Sequence, residues 1–268
     1  MKISVITPSF CQGQYIRQNI ESVLSQGWAS CEHIVIDGGS NDDTVPILTS
    51  YPHLRWVSER DDGQADALNK GLHLATGDIV GWINSDDYYV AGAFQAVSEA
   101  FSDPSVKWVI GDISLFDEAS STMIPLRSPD VSWRSLQKDP DIVRQQGVFI
   151  RREFLLEAGG WNKEFYMVMD FDLWVRLAKR SVPHMLNRQL AVFRIQKDQK
   201  SGLANLHRQT AELTKVLQRE GASATSVIAL RLKKEWYWLK GKLKVLLVGL
   251  RLLDRRYLQK PVRGWRND

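Results

Sequence analysis

Cysteine is scarce in this chain of 268 residues: Cys11 and Cys31 are the only two. Two thiols make no disulfide framework and are too few for a zinc site built on cysteine, so a reducing compartment is expected. Long apolar runs are missing as well. The uncharged stretch 245–250 is six residues, far below the roughly 20 a spanning helix needs. The N-terminus offers only Lys2 before a strand-like run broken at Pro8, with no small-residue cleavage site, so no signal peptide is expected. Neither G-x-G-x-x-G nor G-x-x-x-x-G-K-[ST] occurs. This excludes a hydride cofactor on a Rossmann turn and a nucleotide in a P-loop. Positive charge is scarce outside the tail: residues 227–268 hold 12 Lys/Arg against 3 acids, within a chain of net charge +4. The rest of the chain is therefore net acidic, and nucleic acid is not an expected partner.

What is present is a chain of ordinary globular composition, 44% hydrophobic and 25% charged, long enough for one large domain with an extension. Strand-like runs at 2–7, 32–37, 54–59, 78–83 and 107–113 alternate with helical patterns. Ile16, Ile20, Val23 and Leu24 mark the first helix, 42–51 the second, Ala65, Leu68, Leu72 and Ala75 the third, and 90–101 the fourth. Pro46 limits where the second can begin. Short apolar strands between amphipathic helices predict an α/β fold with a mostly parallel sheet. Ligands of such sheets bind beyond the carboxyl ends of the strands.

Polar residues gather at those ends: Thr7-Pro8-Ser9, Asp37-Gly38-Gly39-Ser40, Glu59 and Asp61, and Asn84-Ser85-Asp86-Asp87. One such loop by itself reads as a turn, but four on one sheet edge point to a site. The adjacent carboxylates Asp86 and Asp87 repel each other unless a divalent cation joins them to a phosphate. Oxygen ligands and the lack of a Cys/His cluster favour Mg²⁺ or Mn²⁺ over zinc. The alternative is that the pair caps the next helix.

The segments "SVITPSF", "IVIDGGSNDDT", "SERDDGQADALNKGLHLATGDIVGWINSDDYY", "GGWNKEF" and "MDFDLWVRLA" resemble the motifs of family-2 glycosyltransferases in order and spacing, over roughly residues 2–195. The resemblance implies a Rossmann-like type-A glycosyltransferase fold and inverting transfer of a sugar from a nucleotide-diphosphate donor, with Mg²⁺ or Mn²⁺. It implies a catalytic domain at 1–202, with a nucleotide-sugar half (1–113) and an acceptor half (114–202), followed by a basic helical extension (203–268). Thr7, Pro8 and Ser9 match the loop that wraps the nucleotide, Asp37 the aspartate that bonds the base, and Asp61 and Asp66 the rest of the nucleoside pocket. Asn84, Ser85 and Asp86 stand where the family has D-x-D. Asp86 then becomes the metal ligand, Asp87 a nearby second carboxylate, and Asn84 and Ser85 donor contacts. Asp170 matches the general base, with Met169 replacing its acidic neighbour. An inverting transfer needs such a carboxylate opposite the departing diphosphate. Asp172 is expected to point elsewhere, towards a basic group. Gln196 stands where the family often has His, and Lys197 and Lys200 follow it in a basic loop.

On the acceptor side, Trp161, Asn162 and Glu164 of "GGWNKEF" are the expected contacts, although a tryptophan is more commonly core. The acceptor is expected to be a saccharide or a lipid-linked one, in bacterial surface polysaccharide or glycolipid synthesis. Asn84 and Met169 keep an alternative open: a catalytically silent sugar-nucleotide-binding or scaffold protein on the same fold. From residue 203 the chain reads as helix. Leu232, Trp236, Leu239, Leu243, Leu246, Leu250, Leu253 and Tyr257 form a heptad seam flanked by Lys and Arg. A helix packed on the domain, a homodimer seam and an interfacial membrane helix all fit. The preferred expectation is a cytoplasmic protein, peripheral at the inner face of the cell membrane through 227–266.

Overall fold

A computed structural model describes residues 1–196, 199–200 and 203–249. Its frame is one nine-stranded sheet in the order β3-β2-β1-β4-β8-β6-β9-β5, with β7 paired to β6. The strands are β1 (Ile3–Ser9), β2 (Cys31–Asp37), β3 (Arg55–Ser58), β4 (Ile79–Trp82), β5 (Tyr88–Tyr89), β6 (Trp108–Asp117), β7 (Thr122–Leu126), β8 (Val148–Arg151) and β9 (His184–Ile195). β1 to β4, β6 and β9 run one way, and β5, β7 and β8 run against them. The sheet is thus mostly parallel, as expected, and β6 runs across residues 113 and 114.

Helices cover both faces: α1 (Ile16–Leu24), α2 (Thr44–Thr49), α3 (Gln64–Leu74), α4 (Ala93–Ala100), α5 (Trp133–Lys138), α6 (Arg152–Glu157), α7 (Met169–Ala178), α8 (Leu206–Arg219) and α9 (Ala224–Gly249). Their apolar stripes divide the core. Ile6, Ile36, Leu68 and Leu72 join Trp174, Leu213 and Leu230 on one face, while Val5, Ile79, Phe94 and Phe149 form the other. Pro46 lies in the first turn of α2, where a missing N–H costs nothing.

The register lines up the strand ends. Ser9 is level with Asp37, and Asp37 with Ser58. β4 is shorter, its Trp82 lying level with Ile6, so Pro8 falls past the end of that ladder and needs no donor on that side. The step left by β4 opens the floor of a cavity at the carboxyl edge. Among the described residues, no helix is long and apolar enough to cross a membrane.

Candidate active site

The edge encloses a cavity of about 850 Å³ whose wall takes in Pro8, Ser9, Asp61, Asn84, Ser85, Asp86 and Asp170. At one end lie the loops after β1 and β2. Ser9 Oγ and Gln12 Oε1 are buried there without a hydrogen-bond partner among the described residues. Buried polar atoms are normally satisfied, so two orphans on one wall mark a place prepared for a polar ligand. Thr7 is not on that wall. Its Oγ1 lies 2.9 Å from His33 Nε2 and 3.3 Å from Asn19 Oδ1, beneath the sheet edge.

Asp37 differs from expectation in the same way. Its Oδ2 accepts from Gly39 N (3.2 Å), Ser40 N (2.9 Å) and Ser58 Oγ (2.7 Å), and its Oδ1 from Ser40 Oγ (2.5 Å). Fully buried, it ties the loop after β2 to β3 and is not on the cavity wall. The carboxylate presented there is Asp61, whose Oδ1 accepts from Gly63 N at 2.8 Å. Its Oδ2 lies 3.0 Å from where a Cβ on Gly38 would stand, so the missing side chain at 38 is the space Asp61 uses. Asp66 is spent at the start of α3. It takes Lys163 at 2.8 Å and Lys70 at 3.5 Å, and the Lys163 hydrogen bond holds its carboxyl below the usual range.

The turn at 84–87 separates its two carboxylates. Asp87 N donates to Asn84 O at 3.0 Å, and Asn19 Nδ2 holds the carbonyls of both residues. Asp87 is turned inward. Gln146 Nε2 (2.8 Å), Arg194 N (2.9 Å) and Asn84 Nδ2 (3.4 Å) donate to it. Burial, followed by the charge of Asp86, pushes its carboxyl well up. It is turned away from the cavity wall on which the sequence placed a second ligand. Asn84 Oδ1 is also engaged, by Gln64 Nε2 (2.8 Å) and Trp82 Nε1 (3.0 Å). Asp86 alone of the pair lines the cavity, with Gln196 Nε2 donating to its Oδ2 at 2.9 Å.

No group of three or more His, Cys, Asp or Glu side chains is assembled for a metal among the described residues. One cavity-facing carboxylate, Asp86, nevertheless suits Mg²⁺ or Mn²⁺. These ions are bound through one or two carboxylates and complete their shell with water and substrate phosphate.

Asp170 stands in the first turn of α7, its Oδ1 accepting from Phe171 N at 2.8 Å. Burial lifts its pKa to about 6, with Asp141 adding to the rise and Lys200 opposing it. Lys200 bonds the Tyr166 carbonyl and lies 3.8 Å from that ring's centre, and burial pushes its ammonium down to about 8. Asp172 does point elsewhere, onto Arg176 (2.8 Å) and Arg219 (2.5 Å). Lys197 lies outside the described residues.

The acceptor contacts expected from "GGWNKEF" are not brought to the cavity. Trp161 is core, edge-on to Trp82 with ring centres 5.7 Å apart, and its backbone is held by Asn69. Asn162 closes a turn onto Glu164 N (3.0 Å), and Glu164 itself is exposed. The wall instead uses Asp141, Arg144, Gln145 and, from α8, Gln209. Sequence reasoning missed these. They sit in an irregular stretch and on a helix whose pattern showed only that it was amphipathic.

The open, mostly parallel α/β sheet with a cavity at its carboxyl edge matches the type-A glycosyltransferase fold of solved structures. Residues 4–155 match the model for glycosyl transferase family 2, and the chain belongs to that family. An uncharacterised glycosyltransferase of Mycobacterium tuberculosis is 31% identical over 185 residues, 66% of this chain and 68% of that one. Chondroitin synthase of Escherichia coli is 25% identical over 66% of this chain and 26% of its own length. Staphylococcus aureus TarS 1–349 in complex with UDP-GlcNAc superposes with TM-score 0.65 at 16% identity, covering 88% of this chain and 73% of that one. A Pyrobaculum calidifontis mannosyltransferase in complex with GDP-Man and Mn²⁺ gives 0.62 at 18% identity, covering 96% and 84%. The chain spans about two thirds of the length of the mycobacterial relatives.

Proposed function

We propose that this chain is an inverting, metal-dependent glycosyltransferase. It moves a sugar from a nucleotide-diphosphate donor to a saccharide or lipid-linked acceptor in bacterial surface polysaccharide or glycolipid synthesis. The observation that carries the reading is a single cavity holding Asp86, Asp170 and the unpartnered Ser9 Oγ and Gln12 Oε1. Solved relatives of the same fold are complexes with UDP-GlcNAc or with GDP-Man and Mn²⁺, which supports a donor of this class.

Asp170 takes the proton of the acceptor hydroxyl as that oxygen bonds to the anomeric carbon, and the bond to the diphosphate breaks with its electrons on the phosphate oxygen. A pKa of about 6 leaves the base ionised at neutral pH and near its most effective range. Asp86 would hold Mg²⁺ or Mn²⁺, which would supply charge neutralisation for the leaving diphosphate. Lys200 adds a cation to the same wall. Asn84 and Met169, the departures that favoured a silent scaffold, have local reasons. Asn84 links Gln64, Trp82 and Asp87, and Met169 is packed at 3% exposure.

A thermal-shift series with UDP and GDP, each with and without Mn²⁺, tests the reading, because a bound ligand raises the melting temperature. A Mn²⁺-dependent rise with one nucleotide is expected, and no rise with either would sink it.

The tail supports a peripheral position at the inner face of the cell membrane. Val227, Leu230 and Lys234 of α9 pack inward, whereas Leu232, Trp236 and Leu239 of the seam are 65%, 57% and 53% exposed. These three seam residues therefore do not pack on their own domain. Basic residues beside an apolar stripe suit an anionic headgroup layer. Leu250, Leu253 and Tyr257 lie outside the described residues.

A further inference from the structure

The cavity wall supplied by α8 and the segment before β8 is more than donor binding requires. Asp141 and Gln209 line it together with Asp170. Behind them, Lys234 of α9, only 6% exposed, donates to Asp141 Oδ2 at 2.8 Å and lies 3.5 Å from Gln209 Oε1. Lys233 adds a second tie, to Asp139 at 3.5 Å. Burial works against the charge of Asp141, and Lys234, Arg144 and Lys233 overcome it and hold its carboxyl below the usual range.

A buried lysine needs such a partner, but a purely structural pair has no need to face a cavity. Here the Asp141 side chain remains 39% exposed. It is held from behind by an ammonium and open in front, so its lone pairs point in a fixed direction. Hydroxyl groups are the donors that suit it, since a carboxylate accepts two at once. An anionic group at this place would meet both Asp141 and Asp170, while the cations of the wall are engaged, Arg144 by the Asp141 carbonyl and Lys200 by that of Tyr166. Met167 on the same wall offers apolar surface to the C–H face of a sugar ring, with Val143 and Leu213 packed behind.

We infer that Asp141, oriented by Lys234, binds hydroxyls of a neutral acceptor saccharide beside Asp170, which makes the C-terminal helix part of the acceptor site. Lys234 is the positioning residue. The inference rests on the glycosyltransferase reading above and deepens it. The sugar that receives the transfer is neutral, and any phosphate of a lipid carrier lies outside this subsite.

The test uses the full chain with Mn²⁺ and whichever of UDP or GDP binds. Methyl glycosides of glucose, galactose and N-acetylglucosamine, with glucose 1-phosphate as the anionic probe, are followed by saturation-transfer NMR. At least one neutral glycoside is expected to bind and the phosphate not to. Asp141→Ala should weaken the glycoside about tenfold or more, the worth of a hydrogen bond to a charged group. Asp141→Asn, which keeps the shape, should weaken it severalfold. Lys234→Met should weaken it and Lys234→Arg restore it, with nucleotide affinity by calorimetry unchanged in all four variants. Glycoside binding that survives Asp141→Ala, a preference for the phosphate, or no glycoside bound by the wild type would each overturn the inference. A wild type that binds neither nucleotide overturns the glycosyltransferase reading, and this inference with it.

Discussion

Asp170 is costly to the fold because burial strips water from its carboxylate. Folded, it binds its proton more tightly than in the unfolded chain, where an aspartate titrates near 4. Its cost is therefore absent at low pH, grows as pH rises from about 4 to about 6, and persists above. Asp170→Asn should then be about 1–3 kcal/mol more stable than wild type at pH 7.5 by urea denaturation, and no more stable at pH 3. The same change removes the proposed base. Turnover should fall by about 10²–10⁴ while donor affinity holds. Wild-type turnover should decline as pH drops through about 6, the value to which Asp170 is lifted. More than about a tenth of turnover left in the variant would exclude Asp170 as the base. Asp86 is the opposite case, a cavity-facing carboxylate whose fixed partners are few. Asp86→Ala should abolish Mn²⁺-dependent diphosphate binding in calorimetry and leave the melting temperature of the free protein nearly unchanged.

At the scale of elements, two contacts decide where these carboxylates stand. Asp172, 0% exposed between Arg176 and Arg219, locks α7 to α8. Removing it takes the shared carboxylate from two guanidinium groups, so Asp172→Ala should cost about 3 kcal/mol, the lower end for a broken buried pair because Arg176 keeps the Ala158 and Gly160 carbonyls and Arg219 keeps Glu220. Chemical denaturation would show it, and a cost under about 1 kcal/mol would mean the clamp contributes no more than a surface pair. Gly147, just before β8, lets the chain pass close to β6. A Cβ there would come within 2.5 Å of the Gly111 carbonyl oxygen. Its neighbours Gln145 and Gln146 bond Trp82 O and Asp87, so Gly147→Ala should disturb the 84–87 turn as well as cost about 1–3 kcal/mol. Weaker Mn²⁺-dependent nucleotide binding in a still-folded variant would be its signature.

Over the whole molecule, the charge imbalance and the exposed stripe of α9 act together. Residues 227–268 carry 12 Lys/Arg against 3 acids, and each basic group near an anionic surface is worth about 1 kcal/mol. Full-length protein should co-sediment with phosphatidylserine vesicles at low salt and release as salt rises. The double variant Leu232→Glu, Trp236→Glu should bind far less. Protein that ignores the vesicles yet runs as a dimer, lost in the same variant, would assign the stripe to a second copy.

Much of this was legible in the chain. Short, nearly continuous apolar runs between helical stripes determined the parallel sheet, because a strand buried on both faces tolerates little else. The polar loops at 7–9, 37–40 and 84–87 determined which edge carries the site. That Asp86 and Asp170 would face one cavity was readable because their neighbours match a family pattern at the right spacing. What sequence could not decide is which way a polar side chain turns. Asp37 and Asp61, or Asp86 and Asp87, are the same chemical group in similar loops. One of each pair faces the cavity and the other is consumed by backbone and amide donors. Nor could spacing bring Asp141 to Lys234, 93 residues apart, or show that Leu232, Trp236 and Leu239 of α9 face outward while Val227, Leu230 and Lys234 pack in. Periodicity records that a helix has an apolar stripe, and only the packed neighbours decide what that stripe meets. Local pattern settles secondary structure because it depends on nearby residues, whereas the direction and partners of a buried polar group are set by contacts that exist only after the chain has folded.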